Sequence, residues 1–556
     1  MQKTCNKCSS SFEITDFEIK FLDKIAPVFN GIKHRFPNPE MCPDCRAQLR
    51  TSHRNEQFMY KIKSSADGKD LVSVYSPDKP YKIFSQEYWF SDNWDPIDYG
   101  QTFDFTRSFF EQYYELSKDA PRANMVTVSN ENSEYTTGTG FCKNCYILNS
   151  SEYCEDCYYG KLLQTCKNCI DTSYAYDSEI LYECFNVKNC YNCKYTYNSQ
   201  NSSDCSFCDN VSSCKNCFLC TNLSMKEYYF MNQKMSKDEY KDKIKEFTEY
   251  DGIQKALDLF IKLKKERVYK YSNITNSENC FGDFIQSSKN CLNCYDVNDS
   301  EDCMNLHVGV KCKDIVDCSN MYINPELSYQ VLGTIETFNV HFCLYVFYSN
   351  DLFYCENCYS CKNCFGCSGL RNKQYCIFNK QYSKENYDEL AQKIVEHMNE
   401  TQEWGRFFPA ELSPFGYNET LANEYFPTEK NLALLSGFKW NNYESPLPNV
   451  EKFINANKLP NRLKDIPDDI LNWAIKCEVT NKPFKIIPQE LKFYREHNLT
   501  IPRRHPDQRH KDRMKLRAPR RLHKDNCKKC GAEVQTTYND IDKNIYCEEC
   551  YLKEVY

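Results

Sequence analysis

Broken at twelve residues per line, the stretch that begins at Phe141 lines up its small apolar and polar positions in columns. Cys145, Cys157, Cys169, Cys193, Cys205 and Cys217 share one column, with Leu181 in the gap. Cys142, Cys154, Cys166, Cys190 and Cys214 share a second column three places earlier, with Ser178 and Ser202 as exceptions. Each line runs aromatic or Ser/Thr, Cys, polar, Asn/Asp, Cys, aromatic, then turn residues. This pattern predicts short strands and tight turns rather than helices. A fixed short period marks a repeat architecture in which each unit packs on the next. Stacking would align Cys, Asn and aromatic ladders along a parallel β-solenoid. At about 3.3 Å per strand residue, twelve residues make one slim coil or half of a coil of about 24. The competing reading is a string of zinc knuckles, but Leu181, Ser178 and Ser202 in ligand columns favour a ladder of small buried thiols.

The pattern occurs twice. Lys373, Tyr375, Asn379, Ser383, Lys384 and Tyr387 match Lys226, Tyr228, Asn232, Ser236, Lys237 and Tyr240 at an offset of 147. Cys361, Cys364 and Cys367 match Cys214, Cys217 and Cys220 in the same way. In the second copy the spacing of twelve survives in Cys291/Cys303 and Cys343/Cys355/Cys367. Ser236 with Glu239 predicts a capped amphipathic helix after the first copy, carrying Tyr240, Ile244 and Phe247. A helix over FFEQYYEL follows the Thr106–Arg107–Ser108 start. Asp92, Asp95, Asp98 and Asp104 before it read as capping and turn residues rather than a metal or catalytic site.

The two ends carry different chemistry. Cys5-x2-Cys8 and Cys42-x2-Cys45 form one set of paired knuckles; Cys527-x2-Cys530 and Cys547-x2-Cys550 form another. Four thiolates in two close pairs suit a closed, tetrahedral, structural zinc site, so two zinc ions per chain are expected. Phe12, Ile14, Glu18, Phe21, Pro39, Pro43 and Arg46 complete a pattern that resembles small bacterial "probable zinc-ribbon" modules. That resemblance implies a zinc-stabilised fold and no defined activity. Phe484, Ile486, Glu490 and Phe493 repeat Phe12, Ile14, Glu18 and Phe21, with Thr480, His505 and Gln508 in place of Cys8, Cys42 and Cys45. Ser64, Asp67, Ser85 and Tyr88 stand where the cysteines of the last ribbon would fall, and Gly68 and Tyr75 match Gly531 and Tyr538. Each end therefore reads as two tandem ribbons, one with metal ligands and one without.

The fold expected is multidomain, β-rich α+β, with a duplicated Cys-ladder parallel β-solenoid flanked by tandem zinc-ribbon modules. The divisions are a zinc ribbon (1–58), a ligand-free ribbon (59–90), an aromatic and acidic helical linker (91–140) and a first solenoid (141–235). A capping helix region (236–273), a second solenoid (274–382), and a capping helix with packed linker (383–470) follow. A degenerate ribbon with a basic segment (471–522) and a C-terminal zinc ribbon (523–556) complete the chain. Taken whole, RNE at 54–56, SDNWD at 91–95, ENSEYT at 131–136 and the final CEECYLKEVY resemble cysteine-rich zinc-ribbon proteins from reduced-genome bacteria.

Composition narrows the function. The chain has 556 residues, 36 Cys, 16 Gly and nine His, and aromatics make up 15%. No long apolar window or signal core appears, so a cytoplasmic protein with reduced thiols and no membrane span is expected. No GxSxG, HExxH, Walker loop or dinucleotide fingerprint is present. The net charge of −7 hides an asymmetry: 503–529 holds twelve Lys or Arg against three Asp, leaving about −16 on the remainder. Arg503, Arg504, Arg509, Lys511, Arg513, Arg517, Arg520 and Arg521 are candidate RNA- or DNA-binding residues, since Arg offers bidentate phosphate contacts. Arg46, Arg50 and Arg54 align with Arg509, Arg513 and Arg517 at an offset of 463. The bland alternative is that these arginines pair with Asp and Glu of the acidic body. A non-catalytic zinc-binding scaffold that grips nucleic acid is the leading expectation. The others are a protein-interaction scaffold, a polymer-acting β-solenoid enzyme, and iron–sulfur chemistry through the clustered thiols.

Overall fold

The computed structural model describes residues 1–539 and 543–555; 540–542 and Tyr556, which fall in the expected C-terminal ribbon, lie outside the described residues. Among the described residues the protein is β-rich, with two large sheets of 13 and 14 strands whose neighbours are parallel except for an antiparallel last pair in each. Tyr146 pairs with Tyr158, Cys208 with Cys220, Cys291 with Cys303, and Cys364 with Cys376, an offset of twelve in every case. The pairing also closes on itself. Tyr158–Gln164 pairs with both Lys167–Ile170 and Ser173–Tyr176. Those lead to Glu179–Tyr182 and Phe185–Lys188, and both of these pair with Tyr191–Gln200. A second six-strand ring joins Lys289–Asn298 to Glu326–Ile335 through four shorter strands.

A period of three underlies the period of twelve. From 138 to 231 every third residue has a positive φ, from Gly138 and Phe141 through Asn144, Ile147 and Ser150 to Met231. Through Cys220 the residue after each corner points inward and is buried, the next faces outward, and the third is the next corner. Asn and Asp recur at the corners because their side chains tolerate the left-handed region. Ile147, Leu162 and Ile180 adopt it too, at about 1–2 kcal/mol each. Hydrogen bonds between successive rows hold them there. The second array keeps the same rule from 284 to 323 and from 324 to 378. Between these runs an extra residue shifts the pairing to Lys313↔Glu326, an offset of thirteen.

The interior is narrow, which is why it is made of small side chains. One row places Cys154, Cys157, Gly160 and Leu163 inward; the next places Cys166, Cys169, Thr172 and Ala175. A Cβ on Gly160 would stand 2.7 Å from methyl carbons of both Leu148 and Leu163, so the space is full. Cysteine fits because it is small and its weak S–H finds a carbonyl: Cys157 Sγ lies 3.4 Å from the Glu155 oxygen and 3.5 Å from that of Cys166. Ser178 and Ser202 occupy the same positions with better hydrogen bonds. Ser202 Oγ donates to the Gln200 carbonyl (2.9 Å) and accepts from Cys214 N–H (3.1 Å).

The first array begins before the cysteine pattern does. Thr127–Val128 and Thr136–Gly140 already pair in it, inside the stretch read from sequence as helical linker. The signal is lost there because Asn130, Ser133, Thr136 and Thr139 take the inward positions. Asn130 acts as a polar plug, donating to Thr136 and Thr139 and accepting from Cys142 N–H. The linker helix is Phe109–Asp119, N-capped by Ser108. Asp95 and Asp104 accept from the backbone N–H groups of Ile97 and Thr106, which is turn chemistry. Beyond the arrays, Lys237–Ile244 starts with the reciprocal Ser236–Glu239 capping box, and Lys384–Glu400 is capped by Ser383. Among the described residues no helix is long and apolar enough to cross a membrane.

Candidate metal centres and the basic segments

Four knuckle turns share one geometry. Backbone N–H groups of Ser9, Gly68, Asn481 and Gly531 reach the carbonyls of Cys5, Ser64, Cys477 and Cys527 at 2.8–3.0 Å. All four donor residues have positive φ. Two of these turns belong to sulfur sets that can hold a metal ion: Cys5, Cys8, Cys42 and Cys45, and Cys527, Cys530, Cys547 and Cys550. In each set the sulfurs lie within 4.8 Å of one another. Cys8 and Cys42 are 3.7 Å apart at sulfur, as are Cys530 and Cys547. A tetrahedral ion bound at about 2.3 Å has sulfur–sulfur edges of about 3.8 Å, so the spacing fits. Burial opposes ionisation of Cys527, yet backbone N–H groups of Cys547, Cys530 and Lys529 bring it to about 6. Its partner Cys550 is pushed up to about 12, by burial and then by the neighbouring sulfurs. Four thiolates cannot converge without a cation, and the donor set supplies what a metal needs.

In the other two modules hydrogen bonds stand in for an ion. Ser64 sits against Asp67, and Thr480 against Cys477. Ser85 and His505 keep the N-cap role that Cys42 has in its module. Ser85 Oγ accepts from Tyr88 N–H, and His505 Nδ1 accepts from Asp507 N–H. Tyr88 and Gln508 bring no ligand to either site.

The structure turns most of the basic candidates inward. Arg509 pairs with Asp171 and Glu490, and Arg513 with Asp171 (2.8 Å) and Glu183 (3.5 Å). Arg517 and Arg520 share Asp296 at 2.9 and 2.6 Å and lie over the Tyr425 ring. The side chains of these four arginines are at most 8% exposed. Arg503 stacks on Tyr250 and donates to Asn461, and Arg504 bridges Glu478 and Asp512. Lys511 and Arg521 are the more exposed candidates; Arg521, at 73% exposure, pairs with Asp44 at 3.5 Å. The run therefore packs against the body, and Arg509, Arg513, Arg517 and Arg520 are buried in these ion pairs. Their charge alone, seen in sequence, could not reveal that Asp171, Glu183 and Asp296 lie beneath them from 221 to 342 positions away.

Sequence reasoning also missed that the docking is crossed. Arg46, at the foot of the Pro43–Thr51 helix, meets Glu18 of its own module (3.0 Å) and Asp317 of the second array (3.1 Å). Arg509, on the Pro506–Met514 helix, meets Glu490 of its own module and Asp171 of the first array. Asp171 and Asp317 are both corner residues with no exposed surface. The N-terminal module thus seats on the second array and the 471–522 module on the first, through the same Arg–Glu–Asp triad. Burial, opposed by Arg46, raises Glu18 to about 7. A buried chain of charge joins the two triads' neighbours: Lys161 contacts Glu56 (3.1 Å) and Glu424 (2.7 Å), and His510 reaches Glu424 (3.2 Å).

No protein-family model matches the chain, and neither does a curated protein or a solved structure.

Proposed function

We propose that the protein is a non-catalytic scaffold, two twelve-residue-coil β-solenoids locked by zinc ribbons, that offers two equivalent outer faces to a protein partner. One observation carries this reading: the same outward stripe occurs on both arrays. Glu131, Lys143, Glu155, Lys167, Glu179 and Tyr191 follow each other rung by rung on the first. Glu278, Lys289, Glu301, Lys313, Glu326 and Phe338 do so on the second. These side chains are exposed or half-buried, with Tyr191 and Phe338 at 50% and 44%. Interior thiols and buried arginines account for the fold; a stripe kept twice on the outside is what remains for recognition. The all-thiolate donor sets favour zinc in closed, structural sites.

Metal analysis of the purified chain should give two zinc ions. A photo-crosslinking side chain placed at Tyr191, and separately at Phe338, should capture the same protein in cells. Reversing the charges of Lys143, Glu155 and Lys167, or of Lys289, Glu301 and Lys313, should abolish that capture. Different products at the two positions, or crosslinks to RNA alone, would overturn the reading. In the second case Lys511 and Arg521 become the contacts to test, by titration at about 50 and 200 mM salt.

A further inference from the structure

The two four-cysteine centres are not equally protected. In the N-terminal set Cys5, Cys42 and Cys45 are buried and Cys8 is exposed. Cys42 and Cys45 open the helix that Arg46 and Arg50 clamp to the second array; Arg50 donates to Ser319 (3.3 Å) and Gln330 (3.1 Å). In the C-terminal set Cys527 is buried, but Cys530 is exposed and Cys547 and Cys550 are partly exposed. Their second knuckle leads into Glu548–Val555, whose one buried side chain is Tyr551. The exposed sulfur of Cys530 lies 3.7 Å from that of Cys547, so each knuckle contributes one sulfur to a close pair.

The C-terminal module also seals the start of the second array. Val268–Lys270 pairs in parallel with Asn544–Tyr546 beside the cysteines. Thr537 Oγ1 donates to Asp283 Oδ2 at 2.8 Å, and the same carboxylate accepts from the N–H groups of Asn273 and Phe284. Ile545, fully buried, packs with Tyr269 and Val534. What holds the two knuckles therefore holds the cover over the first rung, Ile274–Thr275 and Phe281–Gln286.

We propose that the Cys530/Cys547 pair is an oxidation site, and that peroxide acting there releases the C-terminal ion and loosens the cover while the N-terminal centre stays intact. The inference rests on the reading that both centres hold zinc. The Cys530 thiolate attacks one peroxide oxygen, the O–O bond breaks, and a sulfenic acid forms as the departing oxygen takes protons and leaves as water. The Cys547 thiolate then displaces the sulfenic oxygen, which leaves as a second water, and the disulfide forms. Two thiolates and two protons are consumed, and two electrons pass to peroxide. With Cys530 and Cys547 joined, only Cys527 and Cys550 would remain as thiolate ligands, too few to hold a zinc ion in a closed four-sulfur site. Closing the sulfurs from 3.7 Å to about 2.0 Å draws the knuckles together by about 1.7 Å and pulls on Thr537 and Ile545, which lie between them in the chain.

The test uses the full-length, zinc-loaded chain. Hydrogen peroxide is added in steps while a chromogenic chelator follows released zinc. Differential alkylation with mass spectrometry identifies oxidised sulfurs, and hydrogen exchange follows 272–286. The expected result is one zinc released at least tenfold faster than the other, with Cys530 and Cys547 lost to alkylation and faster exchange at 272–286. Dithiothreitol with added zinc should reverse all three. Equal release rates, earlier loss from the N-terminal set, or array thiols oxidised before Cys530 would overturn the proposal. Fewer than two zinc ions before peroxide is added would instead remove the zinc reading on which it stands. A Cys547→Ser chain provides a second arm: it should leave the N-terminal ion in place and yield Cys530 sulfenic acid, detectable by a dimedone probe, with no disulfide.

Discussion

Arg46→Met isolates one of the two crossed triads. The Arg46 side chain is 2% exposed, and Glu18 and Asp317 are 1% and 0% exposed. Methionine keeps much of the volume but leaves two carboxylates without their cation. Removing one partner of a buried pair costs about 3–5 kcal/mol. Glu18, already raised to about 7 by burial against the pull of Arg46, will take a proton. Asp317 keeps Asn305 Nδ2 as a donor at 3.1 Å. The loss should therefore sit near the lower end, about 3 kcal/mol. A chain of this size need not unfold in one step, so a local observable is required. Hydrogen exchange should accelerate about a hundredfold over 43–51 and 313–322, since 1.4 kcal/mol is a factor of ten. Peptides over 161–176, on the first array, should be unchanged. Arg509→Met should do the reverse. Adding Glu18→Gln to Arg46→Met should recover part of the protection, because the one carboxylate then left, Asp317, still faces the buried Arg50. Arg46→Lys should not, since an ammonium cannot span both carboxylates as the guanidinium fork does. If Arg46→Met loosens 161–176 and spares 313–322, the crossed docking is refuted.

Four further outcomes follow from the same geometry. Gly160→Ala places a methyl 2.7 Å from two leucine carbons and should destabilise the first array by about 1–3 kcal/mol, read as faster exchange over 146–164. Ser202→Ala orphans the Cys214 N–H at a cost of about 1–3 kcal/mol, whereas Ser202→Cys should cost less. The precedent for sulfur in that role is Cys343 Sγ, which accepts from Cys355 N–H at 3.3 Å; comparing the two variants' urea midpoints checks it. Burial, then Asp171, raises Glu183 from 4.5 to about 7, against Arg513. Between those values the folded state holds the extra proton, so stability falls as pH rises through the window, by at most about 3 kcal/mol; Glu183→Gln should flatten that slope in melts from pH 4.5 to 7. Finally, a thiol reagent applied to the native, metal-stripped chain should label Cys8, Cys530, Cys547, Cys550 and partly exposed Cys280, and reach the buried array thiols only in denaturant. Fast labelling of Cys157 or Cys364 in the native state would contradict their burial.

The columns of Cys142/Cys154/Cys166 and Cys145/Cys157/Cys169 were legible because a repeat shows itself at a fixed spacing whatever its three-dimensional form. The number of residues between paired rungs was not. Hydrophobic periodicity distinguishes 2.0 from 3.6, and here the operative period is three, set by left-handed corners such as Asn144 and Ile147 that no apolar pattern announces. The start of the first array escaped notice for a similar reason, since Asn130 and Thr136 fill the interior with hydrogen bonds instead of sulfur. Ligand spacing picked out eight terminal cysteines whose sulfurs lie together in two sets, because a knuckle is a local structure whose turn is closed within five residues.

Sequence by itself thus determined what is local or periodic: the thiol ladder, the four knuckles, the capped helices and the duplication. Only the tertiary structure decided where the arginines go. A guanidinium in 503–521 carries the same charge whether it faces solvent or a carboxylate, and the choice depends on Asp171, Glu183 and Asp296 being brought beneath it by array rungs far away in the chain. The crossing of the two terminal modules was invisible for the same physical reason. Both triads have the same composition, so nothing in the chain's order says which array each module takes. That is settled by which corner aspartate, Asp317 or Asp171, each docking helix can reach.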